Sequence, residues 1–209
     1  GKSTLLQIMA GKLQPSSGNV LRPDDLYYVP QHFGQYDEMS IAQALGIDRK
    51  QKALHEILNG NASIDHFNIL DDDWNIEEKA LAALNGWGLG NRSLSESMHT
   101  LSGGEKTRVF LAGLELQAPS AVLMDEPTNG LDIPGKSQFR KFIASGMTDD
   151  KTILISTHQV RDIDKVLDHV LIMDNSRVLL NESTMSICDK LFFTESENRE
   201  LLQSSLFST

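Results

Sequence analysis

The spacing of apolar positions along the chain changes three times. Leu5, Leu6, Ile8 and Met9 recur at helical spacing, which predicts a helix opening at Lys2 and closing near Gly11. LYYVP, 26–30, reads as a short strand. From Gln31 to about Thr100, segments such as SIAQAL and IEEKALAALNGWG predict helices between polar loops, with no strong strand. Beyond Thr100 the chain alternates. GEKTRVFLAGLELQ predicts a helix, AVLMD a strand, GKSQFRKFIASG a helix, TILIST a strand, VRDIDKVLD a helix and HVLIMD a strand. Unalternating apolar strands separated by amphipathic helices indicate a parallel sheet covered on both faces. The expected architecture is α/β, a mostly parallel sheet flanked by helices, with a helical subdomain inserted over about 36–100. This core is assigned to 1–180. The polar tail, 181–209, is weakly patterned, with a helix expected through ENRELLQSSL, 197–206.

The 209 residues suffice for one domain carrying a subdomain. No apolar run approaches the roughly 18 residues of a membrane span. The single cysteine, Cys188, excludes an internal disulfide, fits a reducing compartment, and reads as a small buried hydrophobe. A formal charge of -10, from 19 basic and 29 acidic residues, weighs against a surface that holds nucleic acid. It is neutral toward ATP, which a few placed groups can grip. Trp74 and Trp87 are expected in the core of the insert. Asp71, Asp72 and Asp73 read as a solvated turn rather than a metal cluster, with Asn75 and Glu78 capping the next helix.

Three stretches carry candidate chemistry. The chain opens on GKST, the end of the phosphate-loop pattern G-x-x-x-x-G-K-[ST]. Amides at a helix start point toward an anion, and the helix dipole favours it there. Lys2 would reach the β and γ phosphates, and the Ser3 hydroxyl would bind Mg²⁺. In AVLMDEP, the apolar strand ends in Asp125, at the carboxyl edge of a parallel sheet where ligands bind in open α/β folds. Asp125 could hold the metal through water, and Glu126 would face an attacking water. In LSGGEKTR, two glycines let backbone approach a ligand closely, and the following helix offers its amides. Ser102 precedes Asp125 by 23 residues (125 minus 102). That ordered pair is far rarer than either string alone.

This ordered set resembles the ATP-binding cassette (ABC) family, over almost the whole chain from Gly1 to about Leu180. GKST is similar to the end of Walker A, Gln31 in YVPQ to the Q-loop glutamine, and LSGGE to the ABC signature. AVLMDE is similar to Walker B, NGLD to the D-loop, and His158 in ISTH to the switch histidine. The resemblance implies a P-loop NTPase fold with the helical subdomain between Q-loop and signature. It implies ATP and Mg²⁺ as ligands and ATP hydrolysis as the activity. Gly1, Lys2, Ser3 and Thr4 would hold phosphate and metal. Gln31 would touch metal or water, Asp125 would bind metal, Glu126 would be the general base, and His158 would contact the γ-phosphate. Ser102, Gly103 and Gly104 would close over the nucleotide of a second cassette in a head-to-tail pair, with Asp132 at that interface. A start inside Walker A implies a fragment, lacking the loop's first glycine and the adenine-stacking aromatic residue, and so a fragment weak or inactive alone.

The subtype stays open between two readings. The front, YYVPQHFGQYDEMSIAQALGI with ILDDDWNIEE and LSGGEKTRVFLAG, resembles soluble ABC-F proteins, whose partner is the ribosome. The back, with Gly130 in DEPTNGLD, STHQVRDID and HVLIMDNSRVLLNES, resembles bacterial transporter ATPases, whose partner is a membrane-spanning subunit. Either implies a cytoplasmic protein, peripheral at the inner face of the membrane in the transporter case, and neither implies direct DNA binding.

Overall fold

The computed structural model describes residues 1–146 and 150–190. The expected helix at 197–206 lies outside the described residues. The chain divides into a compact unit from Gly1 to Asp164 and a second unit from Lys165 onward.

The first unit is built on three parallel strands in the order β1 (Tyr27–Val29), β2 (Ala121–Asp125), β3 (Thr152–Ser156). Val29 stands opposite Met124, and Asp125 opposite Ser156, so the three strands end along one edge. Val122, Leu123 and Met124 are all buried, as a strand covered on both faces requires. Helix α1 (Lys2–Met9) packs on β2 and β3. Between β1 and the Ser102 helix the described chain is helical. Its helices are α2 (Ile41–Ala44), α3 (Asp48–Leu58), α4 (Ile64–Leu70) and α5 (Ile76–Gly86). Ser40 starts α2 through a capping box with Gln43, and Ser63 caps α4 by accepting from the His66 amide.

Helix α6 (Gly103–Gln117) joins the helical region to the sheet, packing on α5 and β1. It opens on a second capping box, Ser102 with Glu105. It ends at Ala118, in the left-handed conformation, just before Pro119. The Tyr27 hydroxyl donates to the buried Phe110 carbonyl at 2.9 Å. A Cβ on Gly113 would lie 2.5 Å from that hydroxyl oxygen, so the close approach of α6 to β1 requires glycine there. Helix α7 (Ile133–Gly146) buries Phe139 and Ile143.

Several expectations are corrected. VRDIDKVLD forms two 3₁₀ turns, Val160–Asp162 and Asp164–Val166, instead of a helix. Asp162 is drawn to Lys136 and Arg140 of α7, and these tertiary ion pairs override the helical spacing. Trp87 is buried, edge-on to Phe142, but Trp74 is 44% exposed, with its ring tilted edge-on to that of Phe67. Asn75 stands at the start of α5 without a side-chain cap bond. In the acidic turn, Asp71 and Asp72 are exposed, while Asp73 pairs with both Lys50 and Lys79. No metal-ligating cluster occurs among the described residues.

In the second unit, β4 (His169–Asp174) pairs antiparallel with β5 (Arg177–Ser183). Asn175 and Ser176 both take positive φ, which closes a two-residue hairpin. β5 continues past Leu180, and helix α8 (Thr184–Lys190) follows, so a division at 180 would cut a strand. Cys188 is exposed, not buried.

Candidate active site

The carboxyl ends of β2 and β3 bring the chemistry together. Asp125 closes β2 and is 1% exposed. Glu126 follows with φ 50, a left-handed conformation rare for a non-glycine residue and costly unless its surroundings fix it. Its own amide donates to the Ser156 carbonyl at 2.8 Å, which ties the turn to β3.

Three donors hold the Glu126 carboxylate. The Thr157 hydroxyl reaches Oε2 at 3.0 Å, and the His158 amide reaches Oε1 at 3.1 Å. His158 Nδ1 lies 2.8 Å from the same Oε1. Burial pushes the Glu126 pKa up, but the bonds from His158 and Thr157 outweigh it and hold the carboxyl below its ordinary range. The His158 ring itself is largely exposed.

Lys2 arrives at the same edge from the first turn of α1. Its Nζ donates to the Thr157 carbonyl at 3.2 Å, one residue past the register partner of Asp125. Ser3 is half-buried in that turn, and Gly1 and Thr4 are exposed. Gln31 follows β1 and Pro30, so the parallel register sets it at the end of the sheet that carries Asp125. Lys2, Gln31, Asp125, Glu126 and His158 thus share one sheet edge, although the last is 157 positions from Gly1.

Ser102, Gly103 and Gly104 are arranged differently. They form the start of α6, where Ser102 and Gly103 are exposed and Gly104 is half-buried against the loop after β2: a Cβ on Gly104 would lie 2.4 Å from the Gly130 carbonyl oxygen. Among the described residues, no hydrogen bond or ion pair joins them to Lys2, Glu126 or His158. Asp132 is exposed nearby. The Gly135 amide, at 2.9 Å, and the Arg108 guanidinium, at 2.6 Å, hold its carboxyl below its ordinary range.

Sequence reasoning passed over Thr157, Gln159, Lys136 and Arg108. Thr157 stood in plain view beside His158 in ISTH, and Arg108 closed LSGGEKTR. Nothing in the local sequence of Lys136 signals its contact with Gln159, 23 residues away.

The profile of the ABC transporter family matches residues 1–129.

The chain belongs to the ABC transporter family. Among curated relatives, it is 30% identical over 186 residues to the energy-coupling factor transporter ATP-binding protein EcfA2 of Symbiobacterium thermophilum, covering 85% of this chain. It is 31% identical over 175 residues to the ABC transporter ATP-binding protein ARB1 of Saccharomyces cerevisiae, covering 84%. The chain spans 62% of the length of the first and 25% of the second. Among solved structures, cbiO1 of Clostridium perfringens, part of the ABC transporter complex cbiONQ, superposes with a TM-score of 0.58 at 26% identity. That match covers 97% of this chain and 77% of cbiO1. An archaeal ribosome recycling factor, aABCE1, solved with ribosomal stalk protein aP1, gives 0.60 at 25% identity, over 89% of this chain and 33% of that one. Among the described residues, no helix is long and apolar enough to cross a membrane.

A nucleotide carrying a divalent cation fits this ABC edge. Among the described residues, Asp125 Oδ1 and Ser156 Oγ are buried there without a hydrogen-bond partner, and the two residues are cross-strand neighbours. Buried polar atoms need a partner, and a hydrated cation would satisfy both.

Proposed function

We propose that this chain binds and hydrolyses ATP with Mg²⁺ and that it energises a membrane-spanning transporter. The supporting observation is the meeting of Lys2, Asp125, Glu126 and His158 at one sheet edge, tied through Thr157. Lys2, in the first turn of α1, would hold the phosphates with the helix amides of Ser3 and Thr4. Asp125, Ser3 and Gln31 would hold the metal, which when bound supplies charge neutralisation on the phosphate oxygens. Glu126 would take a proton from water as that water attacks the γ-phosphorus and the bond to the bridging oxygen breaks, releasing ADP and phosphate. His158 orients that carboxylate through two nitrogens and would reach the γ-phosphate with the exposed part of its ring.

Ser102 and Gly103, exposed, and Gly104, half-buried, would complete the site of a second cassette in a head-to-tail pair, with Asp132 at the interface. The likeness to EcfA2 and cbiO1 supports a transporter partner and a place at the cytoplasmic face of the membrane. The likeness to the ribosome recycling factor supports a second reading, a soluble ABC ATPase that acts on the ribosome, of the ABC-F type that the front of the chain resembles. Measuring nucleotide binding in Lys2→Ala tests the first claim: affinity for ATP should collapse, and wild-type affinity would refute it. Co-sedimentation with ribosomes against co-purification with a membrane subunit separates the two partners.

A further inference from the structure

Gln159 follows His158 in the string STHQVRDID. Its side chain is bonded at both polar ends. Its Oε1 accepts from Lys136 Nζ of α7 at 2.7 Å, and its Nε2 donates to Asn129 Oδ1 at 3.2 Å. Its backbone amide donates to Thr157 Oγ1 at 2.9 Å, and that hydroxyl in turn donates to Glu126. Lys136 is itself fixed, because its Nζ also pairs with Asp162 Oδ2 at 2.8 Å. Asn129 precedes Gly130, whose backbone meets Gly104.

The geometry points to Gln159 as a positioning residue for the proposed ATP hydrolysis. Its side chain is a strut between α7 and the 129–132 loop. Through its backbone it sets the Thr157 hydroxyl and the His158 amide that hold Glu126. Its hydrogen bonds run to Lys136, Thr157 and Asn129, residues not assigned above to phosphate or metal. The inference rests on the proposed function for its kinetic consequence, but not for its structural one.

The test is Gln159→Leu, similar in size without the polar ends, beside Gln159→Glu. The glutamate keeps an acceptor for Lys136, and the Asn129 amide can turn to face it. Histidine-selective NMR of the nucleotide-free protein reads the Nδ1 contact of His158 with Glu126. The His158 signal should shift in Gln159→Leu and return in Gln159→Glu. The leucine variant should keep its ATP affinity and melting temperature while kcat falls at least tenfold, within the about 10²-fold that a misplaced catalytic group costs. Combining it with Asn129→Ala should add little, since both cut the same strut. An unchanged His158 signal would overturn the proposal. So would a kcat loss matched by equal losses of affinity and melting temperature, which marks a general structural role. If wild type hydrolyses no ATP, the proposed function fails, and the NMR comparison still decides the role of Gln159.

Discussion

Neutralising Glu105 should cost measurable stability, and the loss should depend on pH. Glu105 is the third residue of α6. Its Oε2 accepts from the Ser102 amide at 2.9 Å, while its own amide donates to Ser102 Oγ at 3.3 Å. Its Oε1 takes the Arg92 guanidinium, which also holds Glu96 at 2.8 Å. The Arg92 bond first, then the Ser102 amide, bring the Glu105 pKa from an ordinary 4.5 to about 2. Converted at about 1.4 kcal/mol per unit, that depression corresponds to about 3 kcal/mol. The side chain is 26% exposed, and solvent screening trims the figure to about 1–2 kcal/mol. Glu105→Gln keeps the shape and the cap but removes the charge. It should lower stability at pH 7 by that amount, a fall of about 2–8 °C in Tm for a domain of this size. Because the folded pKa is depressed, the stabilisation is present above pH 4.5 and is lost as pH falls from 4.5 toward 2. Urea unfolding of wild type and Glu105→Gln between pH 7 and pH 3 should show two curves that converge on acidification. Equal stability at pH 7, or a gap that widens toward pH 3, would refute the reasoning.

Trp87→Ala should destabilise by about 3–5 kcal/mol, read by urea unfolding, because it empties a buried site packed on Phe142 and leaves Glu115 without the indole donor. Asp125→Asn should weaken Mg²⁺-dependent ATP binding more than binding without the metal, read by titration calorimetry. Asp72→Asn, on an exposed turn, should change neither stability nor binding by more than about 0.5 kcal/mol.

The parallel sheet was legible because its strands are continuously apolar, and AVLMD at Ala121–Asp125 matches β2 residue for residue. The edge position of Asp125 followed from that strand ending in an acid. Long-range electrostatics was less legible. VRDIDKVLD has helical spacing, yet Lys136 and Arg140 pull Asp162 into a 3₁₀ turn. HVLIMD has the composition of a buried strand, but His169, Leu171, Ile172 and Asp174 of β4 are exposed. Trp74 and Cys188 were assigned inside from residue type alone, and type is a weak guide to burial when packing partners are unknown. At the edge, GKST and ISTH marked Lys2 and His158. The part of Thr157, joining both to Glu126, needed the fold.

The most direct test of the account is Glu126→Gln, assayed for ATP binding and for steady-state hydrolysis with Mg²⁺. Glutamine keeps one oxygen to accept the His158 amide, and its NH2 group can donate to the Thr157 hydroxyl oxygen, but it cannot take a proton from water. The account predicts ATP affinity within a few-fold of wild type and hydrolysis reduced by about 10²-fold or more, the range for a lost general base. Hydrolysis by Glu126→Gln at the wild-type rate would contradict it.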